Sequence, residues 1–314
     1  YNILLKVAGY TPLGLVVKGA DKAIDKLRSM SLEDIMEGFR GIIGGTAGAA
    51  SVSTLANAAD GTEAKSILPE VGAGAAGALN MWYDSEIDAI MSRTCLRPIP
   101  LGKISNNQAL YFGIFLTLVS VIGLYLVSNI LSASILALTI GFYIFVYTIW
   151  LKRRSVQNIV IGGAAGAFPP VIGWTISNNS LSIEPIVLFL IIFFWTPSHF
   201  WSLSLYKSDD YKKADIPMLP VVSGVEFTKK NIFIYALILF PITILPFYFN
   251  FAGLIYLIPA LILGLTYIFL TYQLLKAKNK INEEKYSKKI FAFSILYLFL
   301  IFSLLLIESF FKIF

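Results

Sequence analysis

Asn80, Asp84 and Asp88 stand at i, i+4 and i+8 in the string Asn80-Met-Trp-Tyr-Asp84-Ser-Glu-Ile-Asp88. On a helix of 3.6 residues per turn each four-residue step turns about 40°, so two carboxylates and an amide oxygen share one face. Such neighbours are unfavourable unless a cation joins them. Hard oxygen ligands in this array suit Mg²⁺, which usually takes one or two carboxylates together with substrate phosphates. The bland alternative is a solvated helix end just outside a membrane. Against it, the stripe grows directly out of an apolar run, and carboxylates in or beside a membrane tend to be functional.

The stretch that follows is cationic, with Arg93, Arg97 and Lys103 around Pro98 and Pro100. Guanidinium forks bind phosphate oxygens in a bidentate manner, and the prolines stiffen the loop. Oxygen ligands for a metal followed by arginines read as a diphosphate site with bridging Mg²⁺. A second polar loop repeats the theme: Asp209, Asp210 and Asp215 lie among Lys207, Lys212 and Lys213 and lead into Pro217-Met-Leu-Pro220. Lys152, Arg153 and Arg154 form a third cationic group, which would equally serve to anchor a helix end in lipid headgroups. Gln157 and Asn158 open the next apolar run and can reach a site from its start. His199 is the only histidine and sits deep in an apolar run, in Trp195-Thr-Pro197-Ser-His199-Phe-Trp201. A neutral imidazole there can satisfy a buried hydrogen bond or contact a heme iron.

These groups need elements to hold them, and the composition says which kind. Hydrophobic residues make up 57% of the 314-residue chain and charged residues 14%, against about 25% charged in soluble domains. A chain this apolar cannot cover itself with polar surface in water, so the reading is an all-α polytopic membrane protein. One cysteine, Cys95, excludes an internal disulfide and a cysteine metal cluster. A spanning helix needs roughly 20 apolar residues. Residues 108–128, 130–151, 156–177, 183–206, 231–250, 251–275 and 290–311 qualify. Val71–Tyr83, rich in glycine and alanine, is too short alone but fits the end of an eighth span packed closely on its neighbours.

From Asp84 to the last span, lysine and arginine fall in every second connection. The intervening turns near 128–129, 177–182 and 250–251 hold none. This is the pattern of the positive-inside rule, and it puts the basic loops and both acidic clusters on the cytoplasmic side, or on the matrix side in a mitochondrion. Residues 1–66 break the pattern. Tyr1–Ala20 is interrupted by charge and Pro12, Asp21–Arg40 reads as an amphipathic helix, and Gly41–Ala59 is mostly small residues. The chain therefore divides into an atypical N-terminal segment, 1–66, and an intramembrane domain, 67–314.

Four strings in order carry a resemblance. They are Gly74 through Asp88 to Arg97-Pro98; Gln157-Asn158-Ile-Val-Ile-Gly-Gly-Ala-Ala-Gly166 with Pro169-Pro170; Trp195-Thr-Pro with His199-Phe-Trp; and Asp210-Tyr211 through Pro217-Met-Leu-Pro220. Over residues 71–314 the sequence resembles the heme-farnesylating branch of the intramembrane aromatic prenyltransferases, the UbiA superfamily. The resemblance implies about eight to nine transmembrane helices around a central cavity with cytoplasmic Asp-rich caps, in a bacterial inner membrane. It implies farnesyl diphosphate and heme B as substrates and heme A synthase or oxidase assembly factors as partners. It implies Mg²⁺ held by Asn80, Asp84, Asp88 and Asp210. Arg93, Arg97, Lys152, Arg153 and Lys213 would then stabilise the diphosphate, and Gln157, Asn158 and His199 would contact substrate. Two features depart from the family: Asp210 and Asp215 are five apart rather than four, and residues 1–66 do not look like its first transmembrane helix. Other readings of the residues are a prenyltransferase for a quinone precursor, a transporter, and an inactive assembly factor. A transporter should show polar groups at the middle of several spans, whereas these carboxylates cluster at one edge.

Overall fold

A computed structural model describes residues 61–311, and among them every regular element is helical. The expectations for Asp21–Arg40, and for residues 1–60 of the atypical segment, lie outside the described residues. Seven helices are long and apolar enough to cross a membrane: Asn106–Val127, Ile130–Leu151, Asn158–Asn178, Ile183–Tyr206, Val225–Tyr248, Leu254–Lys276 and Lys280–Ser309. They coincide with the seven expected runs. The largest difference is at the last, which begins ten residues early because its lysine-rich start is helical although not apolar. The proposed eighth span lies at the end of a full 23-residue helix, α1 (Gly61–Tyr83).

The described residues form two compact units, one of residues 61–150 and 172–181, the other of 151–171 and 182–311. In the first, α1 packs on α3 (Asn106–Val127) and on α4 (Ile130–Gly141). The contact between α1 and α3 is a pair of notches. A Cβ on Gly123 would press on the Leu68 side chain, and one on Gly113 on Leu79. Glycine lets the two backbones approach until those leucines fill the gaps, as small residues do in membrane interfaces. Gly72 of α1 makes the same allowance for Leu136 of α4. Ser105 starts α3 with a capping box, its hydroxyl accepting from Gln108 N while Gln108 Oε1 accepts from Ser105 N. The short helix α2 (Ser85–Ile90) follows α1 directly. Beyond α4 the chain continues without a break into π-helical turns over Phe142–Leu151.

The second unit is built on α7 (Ile183–Tyr206). It packs against α5 (Asn158–Ala167), α10 (Val225–Ile242) and α13 (Lys280–Phe311), and α12 (Leu254–Lys276) closes against α10 and α13. The segment α6 (Pro169–Asn178) belongs to both units by sequence. Short helices α8 (Ser208–Lys213) and α9 (Leu219–Val222) lie in the connection after α7, and α11 (Leu245–Tyr248) ends the Val225–Tyr248 span.

One buried charge has a purely structural use. Glu308 of α13 is buried, and its Oε2 accepts from the Tyr256 backbone N–H at 2.8 Å in the first turn of α12. A carboxylate there satisfies an orphan donor and the positive end of the helix dipole. The approach requires Gly253, because a Cβ at that position would collide with the carboxylate. Gly253→Ala and Glu308→Gln should each destabilise the protein by ~1–2 kcal/mol. Thermal unfolding in detergent should show the loss, with farnesyl diphosphate binding unaffected.

Candidate active site

The acidic stripe survives folding. Helix α1 ends at Tyr83, and Asp84 sits at the junction with φ −93° and ψ 10°. The backbone ladder still crosses it: Asp84 N–H donates to Asn80 O at 2.9 Å and Asp88 N–H to Asp84 O at 2.8 Å. The three side chains therefore keep the one-face spacing expected of them. They are not solvated: Asn80 is 6% exposed, Asp84 0% and Asp88 2%. That overturns the alternative of a helix end standing in water. Burying two carboxylates one turn apart costs free energy unless partners repay it.

The partners are specific. Asn80 Nδ2 donates to Asp84 Oδ2 at 2.7 Å and to Thr148 Oγ1, on the π-helical turns, at 3.2 Å. Arg97 Nη1 meets Asp88 Oδ2 at 2.6 Å, with the arginine side chain one-third exposed and the carboxylate buried. Arg97 reaches it because residues 91–103 fold into consecutive hydrogen-bonded turns, including Thr94 N to Met91 O, Arg97 N to Thr94 O and Lys103 N to Pro98 O. Thr94 Oγ1 pins this loop to the Asp88 carbonyl at 3.0 Å. Gly102, with φ +70°, makes the return turn. Arg93 lies exposed in the same loop. The first unit thus assembles Asn80, Asp84, Asp88 and Arg97 as one constellation.

The second unit holds the remaining candidates. Asn158, almost wholly buried, directs Nδ2 to the carbonyls of Lys152 and Pro217, each at 3.5 Å, and so joins the 152–154 loop to the Pro217–Pro220 string. Lys152 is half-buried; Arg153, Gln157 and Lys213 are exposed. The three carboxylates of the second acidic loop separate by environment. Asp209 and Asp215 are exposed and Asp210 is half-buried. Asp215 carries φ +51°, a left-handed turn position that aspartate tolerates well.

His199 is 8% exposed. Its ring stacks on Trp195 at 4.2 Å and on Phe291 at 4.7 Å, and its Nδ1 lies 2.6 Å from Ser294 Oγ. Trp195 Nε1 donates to the Ser294 carbonyl at 2.8 Å, so α7 and α13 are stapled around the imidazole. Thr148, Ser294 and Phe291 were not among the expected residues. A hydroxyl or an aromatic within an apolar run gives no sign of a partner far away in sequence.

The donor set of the acidic stripe is all oxygen, as a hard divalent cation requires. Among the described residues no three His, Cys, Asp or Glu side chains stand together as a metal site. A cation held here would complete its shell with the Asn80 amide and with oxygens from outside the protein, which fits a metal that arrives with a diphosphate and not a closed structural site.

Comparison with known proteins gives a consistent picture. The sequence profile of the UbiA prenyltransferase family matches residues 47–307. Protoheme IX farnesyltransferase of Pelagibacter ubique (strain HTCC1062) is 64% identical over 244 residues, covering 77% of this chain and 80% of that protein. The protein of the same name from Parvibaculum lavamentivorans is 54% identical over 239 residues, covering 76% and 75%. Among solved structures, one from work on digeranylgeranylglyceryl phosphate synthase in membranes matches with TM-score 0.66 at 17% identity, covering 98% of this chain and 99% of that one. A UbiA homolog from Archaeoglobus fulgidus, bound to DMAPP and Mg²⁺, matches with TM-score 0.54 at 15% identity, covering 77% and 85%. At these identities the two structures speak for the fold.

Proposed function

We propose, because the chain belongs to the UbiA prenyltransferase family, that it transfers a farnesyl group from farnesyl diphosphate to a vinyl group of heme B, giving heme O and diphosphate. The relatives named protoheme IX farnesyltransferase support the substrate pair. The observation that carries the chemistry is the buried Asn80–Asp84–Asp88 stripe with Arg97 closing its end.

Asn80, Asp84 and Asp88, with Asp210 from the second loop, would hold Mg²⁺, which when bound supplies charge neutralisation for the diphosphate. Four membrane-length helices lie between Asp88 and Asp209. A chain that crosses at each returns both acidic clusters to one membrane face, and the alternation of basic loops makes that face cytoplasmic. Arg97 and Arg93 sit in one ordered loop beside Asp88 and offer guanidinium groups to the diphosphate oxygens. Lys152, Arg153 and Lys213 add positive charge to the loops of the second unit. These cations stabilise charge where it develops, on the departing diphosphate, which is the largest contribution a preorganised site makes.

The bond accounting is simple. The allylic C–O bond breaks and its electron pair leaves with the diphosphate. The terminal vinyl carbon of heme B bonds to farnesyl C1, and the adjacent carbon becomes cationic. Water adds there and loses a proton, leaving a hydroxyethylfarnesyl arm. An apolar cavity would shield the first cation from premature water. The test uses purified protein with farnesyl diphosphate, Mg²⁺ and heme B. Mass spectrometry should show heme in which one vinyl has become the hydroxyethylfarnesyl arm, and omission of Mg²⁺ should suppress it. Prenylation of 4-hydroxybenzoate with none of heme would move the acceptor to quinone precursors.

A further inference from the structure

Asn80 has two amide protons, and both are engaged. Nδ2 donates to Asp84 Oδ2 at 2.7 Å and to Thr148 Oγ1 at 3.2 Å. Thr148 is fully buried, and its hydroxyl donates to the Tyr143 carbonyl at 2.9 Å, five residues back. The direction of each bond is therefore set. A hydroxyl has one proton. With that proton given to Tyr143, the Thr148 oxygen can only accept from Asn80, which requires the amide nitrogen at that position and not the amide oxygen. An amide anchored through both N–H groups presents Oδ1 on its remaining edge, and Oδ1 is the atom a hard cation ligates.

The reach to the fifth residue back depends on the π-helical turns of Phe142–Leu151. In ordinary α-helical turns of this chain, Thr117 and Thr139 bond the carbonyl four residues back, at Gly113 and Ile135. The wider turn at Thr148 supplies a different direction for the hydroxyl, and π-turns inside α-helices occur frequently at functional sites.

We infer that Thr148 is a positioning residue for the metal–diphosphate site, acting through Asn80. It fixes the amide so that oxygen, and not N–H, faces the cation. The inference rests on the proposed reading of the acidic stripe and adds to it a residue outside the ligand set.

The probe is Mn²⁺ with inorganic pyrophosphate, followed on the purified protein by electron paramagnetic resonance and calorimetry, with no turnover involved. Thr148→Val keeps the shape and removes the acceptor. It should weaken Mn²⁺ binding about tenfold, the lower end of what loss of a supporting hydrogen bond costs a metal site. Thr148→Ser keeps the hydroxyl and should restore affinity to near that of the unaltered protein. Thr148→Ala, which adds no new methyl contact, carries the same expectation as valine if that variant folds poorly. Asn80→Ala should weaken binding at least as much, and adding Thr148→Val to it should change nothing further. Wild-type affinity in both Thr148→Val and Thr148→Ala overturns the inference alone. So does a full Thr148→Val effect on the Asn80→Ala background. Absence of Mn²⁺–pyrophosphate binding by the unaltered protein overturns the metal reading of the stripe, and this inference with it.

Discussion

Asp84→Asn should lower kcat/KM for farnesyl transfer about 10³-fold, the upper end of what removal of one preorganised electrostatic group costs, while the protein remains folded. Asp84 has no exposure to solvent and occupies the centre of the stripe. The substitution changes charge and almost nothing else. The backbone bonds through residue 84 are unaffected, and an amide oxygen there can still accept from Asn80 Nδ2. What disappears is one full negative charge beside the proposed cation, in surroundings that screen it poorly. The measurement is steady-state transfer to heme B with Mg²⁺ varied, alongside a thermal melt. The loss should persist at saturating farnesyl diphosphate and be only partly recovered by high Mg²⁺. Turnover within tenfold of wild type, in a protein of unchanged melting temperature, would remove Asp84 from the site and with it the chemistry assigned to the stripe.

The spans were legible because hydrocarbon thickness imposes a length of about 20 apolar residues, and little else in a sequence produces seven such runs. Their polar margins were harder to see. Residues 280–289 of α13 include Lys280, Lys285, Lys288 and Lys289 and two glutamates, so apolarity gives no hint that they are helical. Salt bridges sustain that turn: Lys288 to Glu284 at 2.6 Å, and the buried Lys229 of α10 to Glu283 at 2.9 Å. The start of α1 was hidden for a related reason. It carries Glu63, Lys65 and Glu70, and its packing depends on small residues and notches more than on hydrophobicity.

Within the site, what repeats locally could be read and what closes over distance could not. The one-face spacing of Asn80, Asp84 and Asp88 follows from helical period alone. The stacking of Trp195 on His199 is also an i,i+4 relation, local to one helix, although it was not among the expected contacts. Thr148 lies 68 residues from Asn80 and Ser294 lies 95 from His199. Nothing in the composition of an apolar helix marks which of its hydroxyls will meet a distant amide or imidazole. The environments of Asp209, Asp210 and Asp215 were likewise not legible: the left-handed backbone at Asp215 and the partial burial of Asp210 arise only in the fold.

His199→Phe should raise KM for heme B about 30-fold and leave KM for farnesyl diphosphate unchanged, a cost of ~2 kcal/mol, as expected when a buried polar interaction is lost. The choice of phenylalanine follows from the geometry. The imidazole is sandwiched between Trp195 and Phe291, so its flat faces are covered. Its Nδ1 is committed to Ser294, whose hydroxyl donates to the Phe291 carbonyl at 2.7 Å. Nδ1 is thus occupied whichever partner carries the proton, and Nε2 is the other ring nitrogen. Only that nitrogen remains to meet heme. A phenyl ring preserves both stacking contacts and removes the nitrogen, whereas alanine removes everything. Heme titration followed in the Soret band, with steady-state kinetics in both substrates, separates the cases. If phenylalanine keeps wild-type affinity for heme while alanine loses it, the ring serves packing between α7 and α13 and the heme contact lies elsewhere. If both variants lose heme selectively, Nε2 is the contact, and Ser294 acquires a role as the group that holds the ring in place through Nδ1.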